Sequence, residues 1–311
     1  MTTLLYTHES SLQHEVPAGH PERPDRLRAV EKALADPKFS KLTRKTAERV
    51  ARDAVLRVHP ADYFDAIENA IPEEGDLSRI DGDTALSHGS WEPIMRGAGG
   101  ACQAVDEVMQ GKANNAFVAM RPPGHHAETV TAMGFCFFNN AAIAARHAQV
   151  KHGAERVSII DFDVHHGNGS QEIFWADPSV MYCSTHQMPL YPGTGAKIET
   201  GAHNTVVNAP LSAGDNGTQF REAFESRILP RLNEFRPDLV IISAGFDAHM
   251  RDPLANLQLV ESDFAWVTQK LMDVADKHAN GRVVSVLEGG YDLQGLAFST
   301  AAHVGELMKA K

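Results

Sequence analysis

Residues 161 to 168 read Asp-Phe-Asp-Val-His-His-Gly-Asn and come directly after the apolar run Val157-Ser158-Ile159-Ile160. In an extended strand alternate side chains share a face, so Asp161, Asp163 and His165 are expected to converge where that strand ends. Gly167 and Gly169 suit a strand that turns out into a functional loop. A further carboxylate, Asp247 in Ala244-Gly-Phe-Asp247, would complete with Asp163 and His165 a site of two oxygen ligands and one nitrogen. Such a set, with positions left open for water and substrate, is the arrangement of a catalytic zinc rather than of a closed structural one. Oxygen-rich ligands also suit Fe²⁺, and the sequence does not separate the two ions.

The adjacent pair His125-His126 comes after Arg121-Pro-Pro-Gly124, a stiff turn that fixes where the imidazoles point. Asp161 is suited to hold one ring and Asn168 the other. A carboxylate partner favours the charged imidazole and an amide leaves it closer to neutral, so the pair can divide acid and base duties. Tyr291, after Gly289-Gly290, would bring a phenol to the developing oxyanion of a carbonyl under attack by metal-activated water. Phe135, in Gly134-Phe-Cys-Phe-Phe138, and Tyr191, in Leu190-Tyr-Pro-Gly-Thr-Gly195, could wall a narrow apolar channel, whereas Phe137 and Phe138 read better as core. Singly, each group has a plainer explanation: a polar turn, a cap, a surface histidine pair, a buried tyrosine. Their co-occurrence argues for chemistry.

To position these groups the chain needs strands whose ends lie side by side. Apolar or β-branched runs predict strands at Leu4 to Thr7, Ala116 to Met120, Val157 to Phe162, Val180 to Ser184, Leu239 to Ser243 and Val283 to Leu287. Helical patterns alternate with them at Pro93 to Gln110, Asn140 to His152, Thr218 to Phe235, Ser262 to Ala279 and Leu293 to Met308. The expected fold class is a single-domain α/β protein over 1–311, with a mainly parallel central sheet, helices on both faces and the active site at the strand C-terminal ends.

The 311 residues, 43% hydrophobic, suffice for a sizeable core, and a formal net charge of -11 argues against binding a phosphate backbone. No nucleic-acid or membrane partner is expected. Met1 to Thr7 lacks the pattern of a secretory signal, so a cytoplasmic enzyme is the expectation. Three cysteines without CxxC spacing indicate neither a disulfide framework nor a cysteine metal site.

Taken together, His20-Pro-Glu-Arg-Pro24, Arg121-Pro-Pro-Gly-His-His-Ala127, Gly134-Phe-Cys-Phe-Phe-Asn139, Asp161 to Gly169, Ser243-Ala-Gly-Phe-Asp-Ala248 and Leu287-Glu-Gly-Gly-Tyr291 resemble the histone deacetylase and acetylpolyamine amidohydrolase family. The likeness is to its class II-like branch and the bacterial relatives there, and it spans nearly the whole chain in family order. It implies an arginase/deacetylase-like fold, Zn²⁺ on Asp163, His165 and Asp247, His126 as general base, and Tyr291 polarising the acyl carbonyl. It also implies that His125, held by Asp161, supports the electrostatics, with Asn168 matching the class II-like pattern. A structural K⁺ would lie on Asp161, on backbone oxygens of Asp163, His165 and Thr185, and on Ser184. A second, peripheral cation site would use backbone around Phe174, Asp177 and Val180.

By the same resemblance, His20, Gly134, Phe135, Tyr191 and Leu254 belong to the substrate channel, Tyr191 standing where a Phe is usual. Polyamine-specific relatives carry an acid at the position of Leu254, so the neutral leucine tilts the expectation toward acylated lysine in a peptide or protein. Tyr291 in place of the His of weakened animal members implies an active enzyme. The expected function is therefore a metal-dependent amidohydrolase that removes acetyl or other acyl groups from lysine side chains, with acylated amines such as acetylpolyamines as the alternative substrate. A non-catalytic acyl-lysine reader would need neither Tyr291 nor His126, and an arginase-like ureohydrolase would need carboxylates for a second metal. The preferred acyl group and any homo-oligomer stay open.

Overall fold

Consecutive apolar and β-branched residues favour strands buried on both faces, and the strongest runs of this chain fold that way. The computed structural model describes residues 2–310, so Met1 lies outside the described residues. In chain order the elements begin with β1 (Thr3–Thr7), α1 (Asp25–Leu34), β2 (Thr43–Thr46), α2 (Arg52–Val55) and α3 (Ala61–Asn69). A hairpin of β3 (Leu77–Arg79) and β4 (Ala85–Ser87) precedes α4 (Trp91–Met109), β5 (Asn115–Val118), α5 (Asn140–His152), β6 (Val157–Asp161) and α6 (Asn168–Phe174). The chain continues through β7 (Val180–Gln187), β8 (Val206–Leu211), α7 (Gly217–Ala223), α8 (Leu229–Phe235), β9 (Leu239–Ala244), α9 (Glu261–His278), β10 (Val283–Leu287) and α10 (Leu293–Leu307).

The central sheet is parallel throughout and runs β2-β1-β5-β10-β9-β6-β7-β8. Its strands feed two cores by alternation. Ile159 and Ile241 pack with Val105 of α4 and Ile143 of α5, while Ile160 and Ile242 pack with Val30 of α1, Phe264 of α9 and Val304 of α10. These four isoleucines are fully buried, each contributing about 1.5–3 kcal/mol. Helices on both faces therefore lock the sheet, and its C-terminal edge becomes a rigid platform. Asp161 is in register with Ser184 on β7 and Ser243 on β9, so the loops that carry the chemistry leave neighbouring strands at one level.

Several boundaries differ from the sequence pattern for physical reasons. Strand β6 stops at Asp161, not Phe162, so Asp163 and His165 lie beyond the strand and alternation does not align them. Backbone-to-carboxylate bonds do so instead: Asp163 N donates to Asp161 Oδ1 at 3.1 Å and His165 N to Asp163 Oδ1 at 2.9 Å. The helix expected over Thr218 to Phe235 is interrupted by a π-turn at Phe224–Ile228, ahead of Pro230, whose missing N–H breaks a regular ladder. Strand β2 is exposed and polar, Thr-Arg-Lys-Thr, and gives no apolar signal. Strand β8 contains Pro210, which a sheet tolerates at its edge.

Candidate active site

Asp163, His165 and Asp247 meet at the C-terminal edge of the sheet, buried, with one potential ligand atom from each lying within 4.8 Å of the others. His165 Nδ1 lies 3.2 Å from Asp163 Oδ1 and 3.0 Å from Asp247 Oδ2. The carboxylates are held from behind: Val164 N donates to Asp247 Oδ1 at 2.9 Å and Gly289 N to Asp163 Oδ2 at 2.8 Å. Gly289 is obligatory here, because a Cβ would stand 2.6 Å from Asp163 Oδ2 and press on the Asp247 carboxylate as well.

Two desolvated carboxylates this close repel. Burial and then the charge of Asp163 push the Asp247 carboxyl up to about 7. Burial opposes the charged form of His165, yet hydrogen bonds and charge from Asp163 and Asp247 raise it to about 10. A nest of two carboxylates and one imidazole that favours positive charge fits a divalent cation, so the residues present suit Zn²⁺ or Fe²⁺.

Next to this nest, His125 and His126 lie with ring centres 4.0 Å apart, tilted by 43°, and take opposite partners. His125 Nδ1 is 2.9 Å from Asp161 Oδ2, and His126 Nδ1 is 2.8 Å from Asn168 Oδ1. Burial works against charge on His125, but Asp161, Asp163 and Glu288 outweigh it and its pKa is raised well above the ordinary value. Burial lowers His126, and the charges of His125 and His165 lower it further, well below the ordinary value. One ring is thus an imidazolium held by a carboxylate and the other a neutral imidazole, with Nδ1–H directed at the amide oxygen and Nε2 as its acceptor.

A cavity of about 500 Å³ opens onto His126 of this pair. His126, His165 and Tyr291 line it together with His20, Gly134, Phe135, Tyr191 and Leu254. The Tyr191 ring centre is 5.2 Å from that of His126, and Phe135 sits edge-on to Tyr291 at 5.8 Å. His20 packs edge-on to Phe135 at 4.7 Å. Gly134 has φ +55, and a Cβ there would stand 2.5 Å from the His126 ring, so the channel wall closes on the imidazole only with glycine at this place.

Of the residues expected at the monovalent-cation sites, Asp161, Ser184 and Thr185 cluster behind the histidine pair, all buried. The hydroxyl of Thr185 has no hydrogen-bond partner among the described residues. Phe174, Asp177 and Val180 lie along the turn from α6 to β7, where the Asp177 carboxylate is taken by Arg146 at 2.5 Å and by Ser179.

Sequence reasoning gave no role to a set of supporting residues. Glu22 is fully buried and accepts from Arg121 Nε at 2.7 Å and Nη2 at 2.6 Å, and from Arg26 Nη1 at 3.0 Å. Glu288 Oε2 accepts from the backbone N–H of Gly124 at 2.7 Å and of His125 at 3.1 Å, fixing the histidine turn to the end of β10. Asp252 Oδ2 accepts from Tyr291 N at 2.7 Å, so the loop that follows Gly289-Gly290 is tied down. Asp81 and Asp83 stand at the cavity mouth. A charged residue at the end of a buried strand, as in Leu287-Glu288, and an acid pair flanking Gly82 were the available signals.

The histone deacetylase domain family matches residues 20–307. A histone deacetylase-like amidohydrolase of Pseudomonas aeruginosa is 38% identical over 302 residues, covering 95% of this chain and 79% of that protein. A protein of Archaeoglobus fulgidus named "Probable deacetylase" is 38% identical over 301 residues, covering 95% and 83%. The crystal structure of the HDA15 HD domain superposes with a TM-score of 0.93 at 37% identity, covering 100% of this chain and 90% of that one.

Proposed function

This chain belongs to the histone deacetylase family, and we propose that it hydrolyses the amide of acyl-lysine side chains, acetyl-lysine first among them, in peptides or proteins. The observation that carries this reading is the pairing of His126 with the Asn168 amide and of His125 with the Asp161 carboxylate, beside three convergent ligands at the cavity. Asp163, His165 and Asp247 would hold Zn²⁺, with Fe²⁺ the alternative; bound there, the ion supplies Lewis acidity toward the carbonyl oxygen and acidifies water.

The chain's own residues do the rest. His126 takes the proton of the attacking water at Nε2, which is free because Nδ1 faces Asn168, and passes it to the lysine amine as the C–N bond breaks to release carboxylate and free lysine. The charged His125 keeps His126 neutral beforehand and stabilises the negative charge that develops near it. Tyr291 donates its hydroxyl to the acyl oxygen as that oxygen gains charge. Phe135 and Tyr191 flank the lysine methylenes and keep bulk water from the amide. A structural K⁺ on Asp161, Ser184 and the backbone of Asp163, His165 and Thr185 belongs to the same proposal, as does the peripheral cation near Phe174, Asp177 and Val180.

Leu254 gives the cavity no acid at its position, which favours a lysine in polypeptide. Asp81 and Asp83 at the mouth favour a cationic group and support acetylpolyamine hydrolysis as the second reading. Turnover of an acetyl-lysine peptide and of N-acetylspermidine by Zn²⁺-loaded protein distinguishes the two. We expect the peptide to be faster; faster acetylspermidine turnover selects the second reading, and hydrolysis of neither compound overturns both. Among the described residues no helix is long and apolar enough to cross a membrane.

A further inference from the structure

We propose a second metal site, remote from the first, formed by Asp106 of α4 with His147 and His152 of α5. Both imidazoles aim Nε2 at one carboxylate oxygen: Asp106 Oδ1 is 2.8 Å from His147 Nε2 and 2.6 Å from His152 Nε2. One potential ligand atom from each residue lies within 4.8 Å of the others, although the histidines are 41 and 46 positions from the aspartate. The two rings are tilted by 62° with centres 6.0 Å apart, so their nitrogens converge rather than stack.

Chemistry and surroundings fit a borderline divalent ion. Two imidazoles and one carboxylate carry a single negative charge, and they are ligands that Zn²⁺ accepts, with room for Ni²⁺ or Cu²⁺. In a tetrahedral site with bonds of about 2.0–2.1 Å the ligand atoms stand about 3.3 Å apart, so small rotations of these side chains would make room for the ion. The Asp106 side chain is 42% exposed, which leaves space for water ligands, whereas the histidine side chains are 11% and 14% exposed and held in place. His147 Nδ1 is buried and has no hydrogen-bond partner among the described residues, and Asp106 alone holds the ring through Nε2, the nitrogen that an ion would take over on displacing its proton. His152 is the last residue of α5 before Gly153 at φ 67, and the carbonyls of that helix end add a field that favours a cation.

The site serves structure, not turnover. Its histidines stand on the C-terminal half of α5, and His152 is about 18 Å along the helix from the end that abuts the histidine turn. An ion there clamps α5 to α4, the pair that covers one face of the sheet.

The test uses tag-free full-length protein dialysed against buffered micromolar Zn²⁺ and then assayed for metal. The informative background is Asp247→Ala, which empties the first site without touching the second. We expect Asp247→Ala to retain one Zn²⁺ per chain and to lose it when His152→Ala is added. Zn²⁺ should raise the melting temperature of Asp247→Ala by several degrees and leave the double variant unmoved. His152→Ala alone should keep acyl-lysine turnover within twofold of the parent. Equal metal content and equal thermal response in Asp247→Ala with and without His152→Ala would overturn the proposal. Should the double variant fail to fold, Asp106→Asn in the same background replaces it, judged by the same two readouts.

Discussion

The guanidinium of Arg26 lies 5.0 Å from the ring centre of Tyr291 and clamps the loop that carries it. Arg26 Nε donates to the Gly290 carbonyl at 2.6 Å and Nη2 to the Glu288 carbonyl at 2.5 Å. Asp252 holds the same loop from the other side through Tyr291 N, so the phenol is positioned by charges on two separate segments. A lysine at 26 keeps the charge but cannot form the fork. Losing one charge-assisted hydrogen bond of about 1.5–3 kcal/mol would allow the phenol to drift. Arg26→Lys should lower kcat by roughly ten- to a hundredfold while KM and bound metal change little. Steady-state kinetics with metal analysis checks this; a KM effect with kcat intact would assign Arg26 to substrate binding instead.

Glu22 gives a stability prediction with a defined pH window. Burial alone would raise its carboxyl, but Arg121 and then Arg26 overcome that and hold it well below the usual carboxylate range. A depressed folded-state pKa means that the unfolded chain binds the proton first as pH falls. The contribution of Glu22 is therefore complete above its unfolded pKa of about 4.3 and is lost progressively below it. Glu22→Gln leaves two buried guanidiniums without their anion and should cost about 3–5 kcal/mol at neutral pH. Urea unfolding from neutral pH to below pH 4 should show the variant's deficit shrinking only in the acid range. A deficit constant across that range would mean that packing, not charge, is what Glu22 supplies.

Much of this arrangement was legible in the sequence because strand ends in a parallel sheet must deliver their loops to one edge. The runs at Val157, Leu239 and Val283 carry their own strand signal, and each leads into chemically capable rather than neutral residues. Local pattern could not reveal groups whose partners lie far along the chain. Glu22 and Arg121 are 99 positions apart, and Arg26 reaches Gly290 across 264. Nor could alternation account for Asp163 and His165, since their alignment is made by backbone N–H groups beyond the end of β6. Strand β2, with no apolar residue, forms because β1 offers it an edge.

Replacing the amide that faces His126 should move the pH profile. Burial and the charges of His125 and His165 keep His126 neutral well below its ordinary pKa, so the acidic limb of kcat/KM in the parent enzyme should fall below pH 6.5. Asn168→Asp puts a carboxylate within 2.8 Å of Nδ1 and favours the protonated ring. A base that protonates more readily is lost at higher pH, so the limb shifts toward neutrality while the plateau above it falls less. A limb that stays in place would remove His126 from the role of base.

Tyr291→Phe isolates a single hydroxyl. The ring remains between Phe135 and Arg26, its backbone N–H still bonds Asp252, and none of the three convergent ligands is touched. The hydroxyl's hydrogen bond strengthens only as the acyl oxygen gains charge, so it belongs to the transition state rather than to substrate binding. Removing one such donor costs on the order of 10²–10³ in kcat. KM for an acetyl-lysine peptide and metal content should remain near the parent values, because the cavity keeps its shape. Burial keeps the phenol protonated, its pKa raised well above the ordinary value despite Arg26, so the parent's advantage over the variant should be flat through neutral pH. Turnover within a fewfold of the parent would show that the oxyanion is carried by other groups, and a matched loss of kcat and bound metal would place Tyr291 in the support of the ion.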